Sequence, residues 1–311
     1  MSERYVVTGA TGFIGRRLCA ALREHGRVVA VARAGDVTGP WDETVVCDLA
    51  REELPARAFD GAQCVYHLAG RAHAVAERAA DVELYTRVNV DGTRRVLDAA
   101  RASAVRRVVF ASSVKAMGED GDTGAPETPY GVSKRRAEEL VLSGVVPEAV
   151  VLRLSLVYGP GVEGNLGGML RAVRSYRFPP PPRVPNRRAM VHVDDVVRAF
   201  IAAGEHPNAV GKTIVVGDGV EYTTREIYDA MNAALGRPTP AWSLPAPCWR
   251  ALAVAGDALG AVLRRRAPFD SEAYRKLFGS AWYEPGDMRS LLGVVPGLTL
   301  ADALPGMVAA R

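Results

Sequence analysis

The 311-residue sequence predicts an α/β protein built on a Rossmann-type doubly wound parallel sheet, with a smaller, mainly helical substrate-binding lobe. Three observations carry that expectation. Short apolar runs alternate with helical patterns through the first half, which implies βαβ units with right-handed crossovers. A glycine-rich stretch, Gly9 to Gly15, follows the first apolar run and opens the first helical pattern. Beyond about residue 160 the alternation stops and helices dominate.

The elements follow in order. Tyr5-Val6-Val7 reads as the first strand and Arg16 to Glu24 as the first helix. Val28 to Ala32, Thr44 to Cys47 and Cys64 to Leu68 read as buried strands. A helix then runs through Leu84 to Ala102, followed by a strand at Val108-Val109-Phe110. A helix from Tyr130 to Leu142 and a strand from Val150 to Leu154 complete the dinucleotide-binding domain, expected over 1–160 with some later segments returning to it. The remainder, 161–311, reads as the smaller lobe. It opens with Gly159-Pro160-Gly161 and Gly164 to Gly168 as loops, and Phe178 to Pro182 holds four consecutive prolines that suit polyproline II on a surface or cleft wall. Helices at Asp194 to Ala203, Thr224 to Leu235 and Trp249 to Leu263 follow.

Bulk composition narrows the function. Hydrophobic residues make up 48% and charged residues 24% of the chain, the balance of a globular protein. A net charge of +4, spread along the sequence, gives no support to nucleic-acid binding. The Arg264-Arg265-Arg266 and Arg187-Arg188 clusters are short, and the first reads as a solvated helix end. Cys19, Cys47 and Cys64 sit among apolar residues, Cys248 stands apart, and none has metal-type spacing. The N-terminus enters a strand at once and leaves no room for a signal peptide, so a cytoplasmic enzyme is expected. Ala251 to Leu263 is apolar but interrupted by Asp257 and short for a bilayer, so no membrane span is expected and it reads as a core or partner-facing helix.

Gly9-Ala10-Thr11-Gly12-Phe13-Ile14-Gly15 has the strand–loop–helix setting of a pyrophosphate cradle. Glycines let backbone amides approach the phosphates, and the helix N-terminus adds partial positive charge. At the end of the second strand, Arg33 stands where an acidic residue commonly meets the adenosine ribose. It would pair with a 2′-phosphate and so favour NADP, or be a solvated strand-end arginine. Asp48, followed by Leu49, would accept from the adenine amino group or merely cap the next turn.

Thr128-Pro129 marks a helix start just before Tyr130-Gly131-Val132-Ser133-Lys134. Residues four apart share a helix face, roughly 5–6 Å apart at Cβ. A lysine there, with an oxidised nicotinamide, would lower the tyrosine pKa from its ordinary value of about 10 and make Tyr130 a usable general acid or base. Ser112 and Ser113 end the Val108-Val109-Phe110 strand, where strand carboxyl ends line the ligand crevice of such sheets.

Together these residues resemble the extended short-chain dehydrogenase/reductase family of NAD-dependent epimerase/dehydratase type, over nearly the whole chain. Gly9, Gly12 and Gly15 match its glycine loop and Asp48 its adenine-contacting aspartate. His67-Leu68-Ala69-Gly70 resembles the segment under the cofactor, and Asn89-Val90-Asp91-Gly92-Thr93 the helix with its structural asparagine. Ser113-Val114-Lys115-Ala116-Met117-Gly118 matches the catalytic serine segment, which selects Ser113 over Ser112. Tyr130 and Lys134 match the catalytic pair. Arg153 to Gly161, including Val157, looks like the turn beside the nicotinamide. The resemblance implies that Thr11, Phe13, Ile14, Leu49, Leu68, Ala69, Gly70 and Asn89 also line the cofactor, and that Asn165 and Arg188 grip the diphosphate of a nucleotide sugar. His192 is given a structural role, Asp287 to Leu292 resembles the segment closing the substrate lobe, and a homodimer is expected.

The departures are Arg33, which replaces the acid of NAD-using epimerases, and Met117, which replaces a common tyrosine. The Ser113 to Glu119 stretch resembles a subgroup of surface-polysaccharide sugar enzymes. Val114 and Lys115 stand where dehydratases carry acids, which disfavours dehydration. The implied reaction is hydride transfer at C4 of a nucleotide-linked hexose: Tyr130 takes the hydroxyl proton, Ser113 binds the same oxygen, and Lys134 holds the cofactor ribose. Epimerase leads; an NADPH-dependent 4-ketoreductase, favoured by Arg33, is the alternative, so the cofactor is NAD or NADP. A non-catalytic cofactor-binding protein and a reductase of apolar ketones are further readings. The intact Ser113, Tyr130 and Lys134 weigh against the former, and Asn165 and Arg188 against the latter.

Overall fold

The structure, a computed structural model, describes residues 3–35, 37–55, 57–71, 79–118, 124–263, 267 and 269–310. The Arg264-Arg265-Arg266 run, Glu119 and the Met1-Ser2 terminus lie outside the described residues. The chain divides into two compact units: residues 1–157, 193–217 and 284–297 form the first, and 158–192, 218–283 and 298–311 the second.

The first unit is the doubly wound sheet that the alternation predicts. Its strands are β1 (Glu3–Thr8), β2 (Gly26–Ala32), β3 (Glu43–Val46), β4 (Cys64–His67), β5 (Arg107–Ser113), β6 (Glu148–Leu154) and, after β7 (Leu156–Tyr158) and β8 (Met190–His192) lying outside it, β9 (Thr213–Val216). Their order is β3-β2-β1-β4-β5-β6-β9, and every pairing is parallel. Both faces of such a sheet are covered, so its strands read as unbroken apolar runs rather than alternating ones. Val6, Val29, Val65, Val108 and Val151 are fully buried in one cluster, closed by Phe59, Phe110, Val96 and Val141. Burying each such side chain stabilises by roughly 1.5–3 kcal/mol.

Helices α1 (Phe13–Leu22), α2 (Ala79–Tyr85), α3 (Gly92–Ala102), α4 (Pro129–Val141), α6 (Val193–Glu205) and α10 (Gly286–Leu292) belong to this unit. A π-helical turn, Thr86–Asp91, joins α2 to α3, so the helix expected from Leu84 is two helices with a π-helical insert. The Asp194 helix and the Asp287 to Leu292 segment, which follow residue 160, lie in the sheet unit. The reason is β9, which hydrogen-bonds to β6 through Val151↔Thr213 to Leu154↔Val216 and draws its flanking helices with it.

The strand order reverses between β1 and β4, and their carboxyl ends meet at Thr8↔His67. Open parallel sheets bind ligands in the crevice at such a reversal. The topology therefore points to Thr8, the glycine loop after it and the residues after His67.

The second unit holds α5 (Gly164–Arg174), α7 (Thr224–Ala234), α8 (Ala246–Leu263), α9 (Ser271–Phe278) and α11 (Leu300–Ala309). Helix α7 starts with a reciprocal capping box between Thr223 and Glu226, which satisfies two otherwise orphaned amides. The four prolines form neither helix nor strand. The Pro180 carbonyl accepts from Leu244 N at 2.9 Å and the Pro181 carbonyl from Arg225 Nη1 at 3.1 Å. Helix α8, read from the sequence as short for a bilayer and as a core or partner-facing helix, is 18 residues, long and apolar enough by length and composition to cross a membrane, and only 17% buried, so of those two readings it is not a core helix.

Candidate active site

The three loop glycines differ in what requires them. Gly9 has φ +70°, and a Cβ there would lie 2.7 Å from the Leu68 carbonyl carbon and the Ala69 nitrogen. A Cβ on Gly15 would lie 2.2 Å from the Gly9 oxygen. Both are demanded by the chain's own packing of loop on helix and strand. A Cβ on Gly12 would meet only the Gly9 carbonyl, at 3.3 Å. Gly12 is the N-cap of α1 and no side chain caps that helix, while Thr11 is exposed and Phe13 and Ile14 are half-buried. The bare backbone at the sheet's reversal fits a pyrophosphate, which needs close amides and a helix N-terminus. Gly70 adds a second cradle wall, because a Cβ there would stand 3.1 Å from Asn89 Oδ1 and 3.3 Å from Lys134 Nζ.

At the carboxyl end of β2, Arg33 is exposed directly after the strand. Asp48 accepts from Ala50 N at 3.1 Å through Oδ1, and its own amide donates to Glu52 Oε2 at 2.8 Å. Leu49 is buried and its carbonyl accepts from Arg95 at 2.9 Å.

A buried polar chain links this loop to α4. The Ala69 amide donates to Thr8 Oγ1 at 3.1 Å, and Thr8 Oγ1 lies 2.7 Å from His67 Nδ1. His67 Nε2 lies 3.0 Å from Thr93 Oγ1, which donates to the Asn89 carbonyl at 2.6 Å. With the Thr93 proton committed to that carbonyl, Thr93 accepts from His67, so the Nε2–H tautomer is assigned and Thr8 donates to Nδ1. The Asn89 side chain holds both the amide and the carbonyl of Arg71 (2.8 and 3.3 Å) and donates to Ser133 Oγ at 2.9 Å; Ser133 in turn donates to the Tyr130 carbonyl at 2.7 Å. Asn89 sits in the π-helical turn, a distortion often found at functional sites.

Complete burial lowers the His67 pKa to about 3, with Lys134 adding to the shift. The folded form thus refuses a proton that the unfolded chain accepts below about 6.5. Stability is fully present above that value and falls as pH drops toward 3, by on the order of 5 kcal/mol in total. Thermal melts from pH 7 to pH 4 test this: His67→Gln is expected to flatten the pH slope relative to wild type.

Ser113 is the last residue of β5, half-buried, and its Oγ accepts from Lys115 N at 3.2 Å. Tyr130 lies in the first turn of α4. Thr128 caps that helix by accepting from Gly131 N at 3.1 Å, and Pro129 opens it. Gly131 explains how the two segments meet: a Cβ there would fall 2.2 Å from the Lys115 carbonyl. The start of α4 therefore rests directly on the turn that follows Ser113. The Tyr130 ring is 9% exposed and packs on Tyr85 with centroids 5.7 Å apart.

Lys134 is buried, donates from Nζ to the Ala111 carbonyl at 2.8 Å and lies 4.7 Å from the Phe110 ring centroid. Burial pushes its pKa down to about 8, opposed by the charge of Glu138. A folded pKa below the unfolded one means that the protonated lysine weighs against folding, and that stability rises with pH from about 8 to about 10.5. Lys134→Met is accordingly expected to keep or raise the neutral-pH melting temperature, by an effect on the order of 3 kcal/mol, while turnover falls about 10²-fold or more. A calorimetric scan beside a rate assay separates the two.

Beneath this helix lies a group the sequence did not single out. Glu138 and Arg153 form a buried bidentate pair at 2.9 and 2.7 Å, and Ser112 Oγ donates to Glu138 at 2.5 Å. Both charged side chains are 3% exposed. Ser112 is thereby engaged in tying β5, α4 and β6 together.

The other implied contacts stand at different places. Val157 is half-buried in β7. Asn165 is exposed in the first turn of α5, in the second unit. Arg188, also in the second unit, donates through Nη2 to the carbonyls of Lys276 and Gly279, the latter at 3.1 Å, and burial lowers its pKa. His192 is buried with its ring 5.5 Å from that of Tyr158. Tyr158 OH lies 3.0 Å from Asp218 Oδ2 and 2.8 Å from the Leu298 carbonyl, and Tyr222 OH donates to the same carboxylate at 2.8 Å. Burial and that carboxylate raise both phenol pKa values, Tyr222 to about 12. Met117 is half-buried. Cys19, Cys47 and Cys64 are buried, Cys248 is exposed, and all are free.

The sequence profile of the NAD dependent epimerase/dehydratase family matches residues 5–217, from β1 through β9. The chain belongs to that family. It is an enzyme of the extended short-chain dehydrogenase/reductase type. The chain is 31% identical over 268 residues to the UDP-glucose 4-epimerase of Vibrio cholerae, covering 80% of each chain. It is also 31% identical over 283 residues to the ceramide reductase of Caulobacter vibrioides, covering 89% of this chain and 84% of that one. Among solved structures, MoeE5 in complex with UDP-glucose and NAD is similar at TM-score 0.75 and 27% identity, over 99% of this chain and 98% of the other.

Proposed function

We propose that the protein is an NAD(P)-dependent nucleotide-sugar 4-epimerase, in the manner of a UDP-glucose 4-epimerase. The observation that carries this is the start of α4, where Gly131 seats Tyr130 against the turn after Ser113 and Lys134 lies buried one helical turn later. Identity to the V. cholerae UDP-glucose 4-epimerase supports the substrate class. A dinucleotide held at the glycine loop would supply the acceptor and donor for the C4 hydride. Tyr130 removes the C4 hydroxyl proton and later returns it, Ser113 donates to the same oxygen, and Lys134 stabilises the phenolate and the ribose. Asn165 and the remaining donors of Arg188 take the diphosphate, for which the guanidinium fork suits bidentate contact. We place the enzyme in the cytoplasm, as a homodimer, in the supply of polysaccharide sugars.

A second reading is an NADPH-dependent 4-ketoreductase. The specific observation favouring it is Arg33, exposed at the end of β2, where a guanidinium suits a 2′-phosphate. One experiment separates the two. The purified enzyme is incubated with UDP-glucose, UDP-galactose and their N-acetylamino counterparts, and proton NMR reads the 4-epimer. Epimer formation without net nicotinamide oxidation supports the first reading. NADPH consumption with a 4-keto-6-deoxy sugar nucleotide, and no epimer, selects the second.

A further inference from the structure

Glu138 and Arg153 are buried charges that the proposed reaction leaves unused, and their placement relates them to Lys134. Lys134 and Glu138 stand four residues apart on α4, so their Cβ atoms lie about 5–6 Å apart on one helix face. Both side chains are buried, and they reach consecutive residues of β5. Lys134 Nζ donates to the Ala111 carbonyl at 2.8 Å, and the Glu138 carboxylate accepts from Ser112 Oγ at 2.5 Å. Arg153 lies on the next strand, β6, where its Cα is the register partner of Ser112. Its fork donates to both carboxylate oxygens, from Nε at 2.9 Å and from Nη2 at 2.7 Å.

A buried ion pair is a weak stabiliser, because taking two charges out of water offsets most of their attraction. An apolar pair of similar volume would join β5, β6 and α4 about as well. What it would lack is a carboxylate one helical turn from Lys134, with the matching guanidinium held on a different strand. Among the described residues, Glu138 is the anion that acts on Lys134, and it favours the lysine's proton against the burial that disfavours it. The other titratable groups nearby supply no such charge. His67, buried in β4, is neutral near pH 7, and Arg135 and Arg153, both within 4.0 Å of the Glu138 carboxylate, are cations. Tyr130, on the same helix, is the phenol that Lys134 is proposed to activate. We propose that Glu138 is a positioning residue for the reaction, holding the positive charge of Lys134 beside Tyr130 while Arg153 keeps the carboxylate ionised. This rests on the role given to Lys134 above.

The lysines of the chain are Lys115, Lys134, Lys212 and Lys276, so carbon-13 labelling at lysine Cε gives a short NMR spectrum. Single Lys→Arg variants of the other three assign Lys134. In wild type its signal is expected to titrate at about 8. Removing an anion disfavours the protonated form, so in Glu138→Gln the midpoint is expected to move acidward, with proton affinity about tenfold lower or more. The alkaline limb of the kcat profile, above which Lys134 is neutral, is expected to move with it. Glu138→Gln with Arg153→Met strands no arginine, so it keeps the fold testable, and it is expected to lower the midpoint as well. Ser112→Ala disturbs the same contact without changing charge and is expected to leave the titration in place. An unmoved midpoint in both Glu138 variants overturns the proposal, whatever reaction the site performs. So does an equal shift in Ser112→Ala, which would make the effect one of packing. A moved midpoint with an unmoved rate profile overturns the link to the reaction, and with it the role of Lys134.

Discussion

Tyr130→Phe is expected to lower turnover by about 10³-fold or more, the scale of a lost general acid–base, with the melting temperature and dinucleotide binding close to wild type. The ring keeps its packing on Tyr85, and the carbonyl that receives the Ser133 proton belongs to the backbone, so only the hydroxyl is removed. Steady-state rates with a sugar nucleotide, beside a cofactor titration, provide the measurement. Wild-type rates in this variant would contradict a catalytic role and return the chain to a cofactor-binding protein without turnover.

Glu138→Ala is expected to destabilise the fold by about 3–5 kcal/mol, the cost of leaving a buried charge without its partner. Arg153, 3% exposed, would lose both carboxylate hydrogen bonds, and Ser112 its acceptor. The double variant Glu138→Ala, Arg153→Met removes the stranded charge and is expected to recover a substantial part of that loss. Denaturant midpoints of wild type, both single variants and the double variant give the coupling energy. Because Ser112 precedes Ser113 and Glu138 lies one turn beyond Lys134, the single variant is also expected to lower kcat in the fraction that remains folded.

What the sequence revealed, and what it concealed, follows from the range of the interactions. The glycine loop was legible because its requirement is local: Gly9 and Gly15 are fixed by contacts within the same strand–loop–helix turn or one neighbouring strand. Thr128, Pro129, Tyr130 and Lys134 were legible for the same reason, since capping and helix-face spacing are set by a few consecutive residues. Glu138 fell inside a predicted helix and Arg153 inside a predicted strand with nothing local to pair them, because their burial exists only after β5, β6 and α4 have closed over them. Gly131 stood within a quoted motif, and its meaning depended on a Lys115 carbonyl sixteen positions earlier. The four-residue β9 was lost among helices, for its only strong signal is the pairing with β6. Composition left helix α8 open between a core and a partner-facing helix, and only its low burial decides against the core.

The claim at the centre is that Tyr130, Ser113 and Lys134 govern a hydride that leaves and returns to one sugar carbon. The direct measurement uses UDP-glucose deuterated at C4, incubated with the purified enzyme and followed by NMR and mass spectrometry. The expected result is UDP-galactose that retains deuterium at C4, formed with a primary isotope effect and without exchange into solvent water. Loss of the label to water, or no 4-epimer from any nucleotide-linked hexose tested, would contradict it.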